Sequence, residues 1–319
     1  MATYKEIRGV NIQSLDADPT AVEGEVWYNA STGKLRMYAA AGSWASGGNL
    51  NAARGLLAGA GTQTAGLVFA GGNPETTNKT LTEKYDGSSW TEVGDLTTAR
   101  RSIGGLGTQT AALCAGGRTS GTTLVAVVEE FNGTGWTEIG DINTARQNSA
   151  AAGTNTAGLV FGGSVPAASN TSEEFNGTAW TEGDNLNTAR SLLGGVGLQT
   201  AGLAFGGFTT ANSAVNETYN GSSWTEVGDL NTARRLSGAG IQTAALAMSG
   251  YTGSYTAATE NWDGSSWTEV ADVATGRNEA AGVGTNTLGL LAGGYQGTAY
   301  QALTEEWSFA ATVETVAFD

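Results

Sequence analysis

Along residues 43–309 the apolar and polar positions return with a period of 43–46 residues, measured from one repeated Trp to the next. Each unit opens with a Gly/Ala-rich run and a polar turn (GTQT, GTQT, GTNT, GLQT, GIQT, GTNT). An apolar run of the AGLVFAGG type follows and ends in Gly-Gly, or in Ser249-Gly250 in the fifth unit. After a variable segment come Glu-x-aromatic, an Asn-Gly or Asp-Gly pair, and a run that opens on Trp. Nowhere do apolar residues recur at i, i+3, i+4, so these short runs are predicted to be strands. Asn-Gly and Asp-Gly predict tight hairpins with positive φ at both central positions, joining the third strand to the fourth. Four antiparallel strands per unit, six times over, predict the blades of a β-propeller.

Three residue types recur in register. Tryptophans stand at Trp44, Trp90, Trp136, Trp180, Trp224 and Trp267, and ten residues after each stands an arginine: Arg54, Arg100, Arg146, Arg190, Arg234 and Arg277. Glu83, Glu129, Glu173, Glu217, Glu260 and Glu305 recur on the third strand, and Glu92, Glu138, Glu182, Glu226 and Glu269 after the Trp. Six equivalent aromatics are expected to fill the space between neighbouring sheets, each burying roughly 150–250 Å². Each arginine is expected to tie its blade to the next through carbonyls or a repeated Glu. The competing reading is an arginine ring on one face of a central channel, clamping a ligand carboxylate as in sialidases. A catalytic carboxylate pair would break the symmetry of the repeat, and these glutamates keep it. The repeated stretch is therefore read as a building unit, with no catalytic residue.

The repeat resembles the kelch repeat: Gly-Gly after an apolar strand, an aromatic about five residues before a Trp, and an Arg after it. The resemblance covers about residues 43–309 and implies an all-β, six-bladed propeller. WD40 fits less well, because no Gly-His or Trp-Asp pair closes the units. The turn YDGSSW is similar to the Asp box of sialidases but one residue short between Asp and Trp. The sixth unit has Arg277, Gly293-Gly294 and the third strand LTEEWSFA, and then no NGxxWTE. Ser43-Trp44 supplies that piece from the chain start, so residues 43–49 are expected to close the ring as the outer strand of the last blade. Residues 1–42 then form an N-terminal arm and hairpin, and 310–319 a C-terminal strand or tail.

Composition narrows the chemistry. The chain has 319 residues, 49 glycines, one cysteine, no histidine and a net charge of −15. That balance works against binding nucleic acid or an anionic membrane surface by general electrostatics. The missing histidines remove His-ligated metals, Ser-His-Asp hydrolysis and the copper chemistry of galactose oxidase, another kelch-like fold. No metal or cofactor is expected, and Cys114 in AALCAGG is expected to be a buried small hydrophobe. No apolar run long enough to span a bilayer is present, and the N-terminus shows no Sec-type apolar core, so manufacture in a cytoplasm is expected without membrane insertion.

The units differ most after Gly-Gly: NPETTNKT, RTSGTTLVA, SVPAASNT, FTTANSAV, YTGSYTAA and YQGTAYQA. Phe208, Tyr251, Tyr255, Tyr295 and Tyr300 stand there among Ser, Thr and Asn, a composition suited to sugar or protein contact. The variable loops and the arginine-bearing linkers are expected to share one face, opposite the hairpin turns. In residues 1–42 a hairpin is expected: strand Glu25–Tyr28, turn Ser31–Gly33, strand Leu35–Tyr38. PTAVEGEVWYNASTGKLRMYAAAGSW is similar to a short motif of tailed-bacteriophage virion proteins, tail and fibre components above all. That resemblance implies a non-enzymatic virion component, anchored to other virion proteins through residues 1–42 and presenting the propeller to a host surface glycan or protein. The alternative is a bacterial carbohydrate-binding or carbohydrate-active, sialidase-like propeller.

Overall fold

The four runs of each unit pair in chain order, because each is short, half or wholly apolar, and separated from the next by a turn. In the computed structural model, which describes residues 12–19, 26–73, 78–119 and 123–316, there is no helix and there are seven sheets among those residues. Most are four-stranded and antiparallel, an all-β arrangement compatible with a propeller. The first full sheet runs Ala58–Thr62, Ala65–Phe69, Thr82–Tyr85, Trp90–Glu92. Four more repeat this order and begin at Gly104, Ala150, Gly194 and Arg235. The sixth sheet holds Ala281–Gly284, Leu288–Ala292, Thr304–Thr315 and Lys34–Ser46 in that order, and continues to six strands. The seventh is a two-stranded ribbon, Ser164–Val165 with Ala167–Ala168, inside the variable segment of the third unit.

The chain divides into two compact units, residues 43–308 and residues 1–42 with 309–319. In the smaller unit Val26–Asn29 pairs antiparallel with Lys34–Ser46, and Gln13–Leu15 pairs parallel with Val26–Asn29. Its second strand is longer than the sequence predicts, and residues 1–11 and 20–25 of the expected arm and hairpin, Glu25 among them, lie outside the described residues.

Within residues 43–308 the first strands pack side by side in chain order, from Ala58–Thr62 to Ala281–Gly284. All six contribute to one cavity of about 110 Å³, lined by Gly, Ala, Val and Leu106. Convergence explains the Gly/Ala-rich runs: a Cβ on Gly59 would come within 2.5 Å of Val283 Cγ1, and one on Gly195 within 2.5 Å of Ala150 Cβ. Contacts this short are far inside van der Waals separation, so a larger residue would push the strands apart.

Two corrections concern turns. The third-to-fourth-strand hairpins have four-residue loops: Tyr85 pairs with Trp90 across Asp86–Ser89. Only the glycine adopts positive φ, as at Gly87 (91°) and Gly133 (96°). The preceding Asp or Asn instead folds its side chain into the loop; Asp86 Oδ1 accepts from the Ser88 and Ser89 amides, each at 2.8 Å. The side chain thus replaces a backbone acceptor, and the second positive φ is not needed. Donation from the Ser89 amide first, then from Ser88, holds the Asp86 carboxyl at about 2. In the fifth unit, YTGSYTAA is a hairpin rather than a loop, because Ala244–Tyr251 and Tyr255–Trp262 pair through Tyr251–Tyr255.

Neighbouring sheets are joined by the repeated Trp. Trp90, Trp136, Trp180, Trp224 and Trp267 are 5–7% exposed. Trp136 packs on Phe131 of its own sheet (5.1 Å between ring centroids) and Phe69 of the sheet before (4.8 Å). Trp44 departs from the set. It is only half-buried, stacks on Trp307 at 5.4 Å and donates from Nε1 to the Ala271 carbonyl. Its strand arrives through the long run Lys34–Ser46 instead of a four-residue hairpin. A second staple comes from the polar turns. Gln109 Nε2 donates to the Gly66 and Tyr85 carbonyls of the preceding sheet, and Gln199 and Gln242 repeat the contact. The shorter Asn155 instead reaches only the Glu130 side chain.

Trp136 Nε1 donates to Thr82 Oγ1, and Trp90 Nε1 to Thr304 Oγ1, both at 2.9 Å. Val128 occupies the same register position one sheet on, and Trp180 Nε1 is buried there without an acceptor. Val128→Thr is nearly isosteric and supplies the missing oxygen, so it should raise stability by about 1 kcal/mol. Trp136→Ala should lower it by roughly 3–5 kcal/mol. Chemical denaturation of both variants checks the pair, and a destabilised Val128→Thr would show that the hydroxyl does not reach the indole.

Candidate functional site

The six repeated arginines come first, because sequence left them two roles. Each sits in the linker before a sheet and is at most 1% exposed. Arg100 pairs with Glu129 at 3.2 Å, Arg146 with Glu173 at 2.9 Å and Arg190 with Glu217 at 3.0 Å. Arg54–Glu83, Arg234–Glu260 and Arg277–Glu305 make the same pair. The guanidinium also donates to carbonyls of the sheet it leads into, as Arg100 does to Cys114 and Val127. The other carboxylate oxygen accepts the amide three residues before the arginine, from Asn51, Thr97, Asn143, Asn187, Asn231 or Ala274. Asn51, Asn187 and Asn231 add their own Nδ2, which also reaches the carbonyl of the repeated Trp.

Burial pushes Arg190 down to about 10, against the pull of Glu217, so it stays cationic at neutral pH. Burial likewise lowers Arg146 and Arg277. Guanidiniums closed off from solvent cannot clamp a dissolved carboxylate, and none of the six lines the central cavities. Their Glu partners are committed to these pairs as well. Burial pushes the Cys114 thiol up to about 11, which keeps it protonated and unreactive.

Linkers and variable segments meet on one face. The residue after each arginine forms a bridge or strand pair with the residue that closes the second-strand run, which is Gly72 itself in the first unit and the residue after Gly-Gly or Ser-Gly in the others: Gly55 with Gly72, Arg101 with Arg118, Gln147 with Ser164, Ser191 with Phe208, Arg235 with Tyr251 and Asn278 with Tyr295. On this face the structure brings the five predicted aromatics together. Tyr251 meets Tyr255 edge-on at 5.2 Å, Tyr255 meets Tyr295 at 5.9 Å, and Tyr295 lies 4.8 Å from Tyr300. Phe208 joins through Arg235, whose guanidinium carbon is 4.2 Å from the Phe208 centroid and 5.4 Å from that of Tyr251. Every member of this arc is half-buried. Tyr295 Oη donates to the Gly297 carbonyl at 2.8 Å, and Gly297 lies against the Tyr255 ring.

Sequence reasoning missed Arg235. Its signal was the doublet Arg234-Arg235, where other units follow the arginine with Gly, Gln, Ser or Asn and only Arg100-Arg101 repeats the doublet. Five cations of residues 43–308 stand outside the six buried pairs, and all but Lys84 (Lys79, Arg101, Arg118 and Arg235) lie in linkers or variable segments or at their edge. Within residues 43–308 the cations outside the repeated pairs therefore concentrate on this face, although the chain as a whole carries a net charge of −15.

A second feature was also missed. Leu56, Ser102, Asn148, Leu192 and Glu279 stand two residues after an arginine and adopt φ of 54–62°. Their backbones join head to tail, with Leu192 N donating to Asn148 O, Asn148 N to Ser102 O, Ser102 N to Leu56 O, and Leu56 N to Glu279 O. These residues line a cavity of about 100 Å³. Left-handed backbone at a non-glycine residue costs about 1–3 kcal/mol, which the neighbouring hydrogen bonds must offset. In the fifth unit Arg235–Ile241 continues as strand, and the chain of left-handed residues stops there.

Among the described residues no group of three or more potential ligands is placed to hold a metal ion, and no helix is long and apolar enough to cross a membrane. In the sixth unit Ala274 donates only its amide to Glu305. Ala274→Asn should add the side-chain bond to Glu305 and gain about 0.5–1.5 kcal/mol, while Asn231→Ala should lose about as much. Urea denaturation of the two variants checks this, and unchanged stability in both would mean that the Asn side chain adds nothing. No protein-family model matches the chain, and no curated protein is significantly similar to it.

Proposed function

We propose that the chain is a non-enzymatic structural protein of a bacteriophage virion, a tail, fibre or decoration component. In this reading residues 43–308 are a six-bladed, kelch-like propeller, and its linker face recognises a host surface glycan or protein. Three contacts support ring closure. Ala281–Gly284 packs against Ala58–Thr62 as well as against Arg235–Ile241. Gln63 of the first full sheet donates to the Gly289 and Trp307 carbonyls of the last. The strand ending at Ser46 lies beside the one beginning at Thr304, as a fourth strand lies beside a third elsewhere.

The aromatic arc carries the recognition role. The repeat needs no aromatic at these positions, since the first three units place Gly72, Arg118 and Ser164 where the last three place Phe208, Tyr251 and Tyr295. Solvent-reachable tyrosines held rigid among Ser, Thr and Gly offer large contact area at low entropic cost. The resemblance of residues 19–44 to phage tail and fibre proteins supports the virion setting and an anchoring role for residues 1–42. The sialidase-like alternative is weakened by the burial of all six arginines in ion pairs.

Replacing Tyr251, Tyr255 and Tyr295 together by Ala should reduce adsorption of particles to host cells at least about tenfold, as loss of several hot-spot side chains does, with incorporation unchanged. Deleting residues 1–22 should abolish incorporation and leave the melting temperature of residues 43–308 unaltered. Normal adsorption of the triple variant, or a particle map with the arc packed against neighbouring subunits, would contradict the recognition role.

A further inference from the structure

We propose that Arg235, set against Phe208 and Tyr251, anchors the carboxylate of an acidic saccharide whose sugar rings extend along Tyr255, Tyr295 and Tyr300. The inference rests on the recognition role proposed for this face and names its ligand class.

Arg235 differs from the six repeated arginines. Each of those is buried against a Glu, whereas among the described residues no carboxylate pairs with Arg235. Its Nε is buried without an acceptor, while the residue as a whole stays half-exposed. The rings of Phe208 and Tyr251 lie within cation–π distance of its guanidinium carbon. The guanidinium carries a planar fork of N–H donors, the geometry that receives a carboxylate on two parallel hydrogen bonds. The two ring contacts also restrain the guanidinium, so less side-chain freedom is lost when an anion arrives.

The tyrosines extend this anchor into a track. Ring centroids lie 5.2, 5.9 and 4.8 Å apart from Tyr251 through Tyr255 and Tyr295 to Tyr300, and the first two contacts are edge-on, so successive rings face different directions and offer a saccharide both faces and edges. The C–H faces of pyranoses pack on aromatic rings. An acidic peptide would look for an open strand edge or a groove, but here Tyr251 and Tyr255 already pair with each other across the hairpin. A saccharide carrying a uronic or nonulosonic carboxylate fits both parts.

The test is isothermal titration of the full chain with trisialic acid and trigalacturonate, and with the same oligomers after reduction of their carboxyls to alcohols. At least one acidic oligomer should bind, and carboxyl reduction should weaken it by about tenfold or more, the loss expected for a charge-assisted pair. Arg235→Gln should bind that acidic oligomer no better than its reduced form, at an unchanged melting temperature. Arg118→Gln, on another unit, should leave binding intact. Equal affinity for acidic and reduced oligomers, or for Arg235→Gln and the parent chain, would overturn the carboxylate anchor and leave saccharide recognition standing. Binding of polyglutamate in place of either sugar would assign the face to a protein partner and overturn the saccharide. If no oligomer binds while the triple tyrosine variant still loses adsorption, the saccharide is wrong and the recognition face stands. If adsorption also survives, both fail.

Discussion

A guanidinium removed from water must have a carboxylate beside it, and in this protein that requirement is met six times in one register. The Arg–Glu pair decides how each unit is built. The arginine lies on a linker, the glutamate on the third strand of the sheet that follows, and the second carboxylate oxygen takes the linker amide three residues earlier. One carboxylate therefore folds a whole linker down onto its sheet. Removing either partner would leave a buried charge, which typically costs about 3–5 kcal/mol. The pair is thus a latch that cannot be half-made, and this fits its recurrence in every unit.

With the linkers latched, the remaining contacts join sheet to sheet. The repeated Trp packs on an aromatic of its own sheet, and at Trp136, Trp224 and Trp267 also on a Phe of the sheet before, and in most units the turn glutamine reaches back to two carbonyls there. None of these residues is available for a ligand, because each is occupied with its neighbour. The positions that the latch does not constrain are the residue after the arginine and its bridging partner at the end of the second-strand run, paired on one face. There the units diverge, and there Phe208, Arg235 and the four tyrosines gather. The same fold thus separates a repeated, closed interior from a variable exterior.

Much of this was legible in the sequence. The 43–46-residue period, the four-strand unit and the Trp–Arg spacing follow from local pattern, and the five aromatics stood out because they break the repeat. For the arginines the symmetry of six copies favoured carbonyl or repeated-Glu partners over a ligand clamp, and those are the partners they have, but spacing alone did not say which repeated glutamate each one meets. The hairpin loops were misjudged because an Asp or Asn side chain can stand in for a backbone acceptor, which composition does not reveal. The left-handed residues were invisible for a different reason. Leu, Ser, Asn, Leu and Glu share no chemistry at that position, and their strain is imposed by hydrogen bonds between units rather than by their own preferences. Arg235 escaped notice because it sits directly behind a repeated arginine and reads as part of the repeat.

The latch is tested most directly by a double-mutant cycle on Arg190 and Glu217, using Arg190→Met, Glu217→Gln and the double variant in equilibrium denaturation. If the buried pair holds the linker, each single change should cost roughly 3–5 kcal/mol by stranding its partner. The double variant should then recover a large part of the summed loss, with a coupling of at least about 2 kcal/mol. Single losses below about 1 kcal/mol that simply add would contradict the account, since they would mean that the linkers are held by their backbone hydrogen bonds alone.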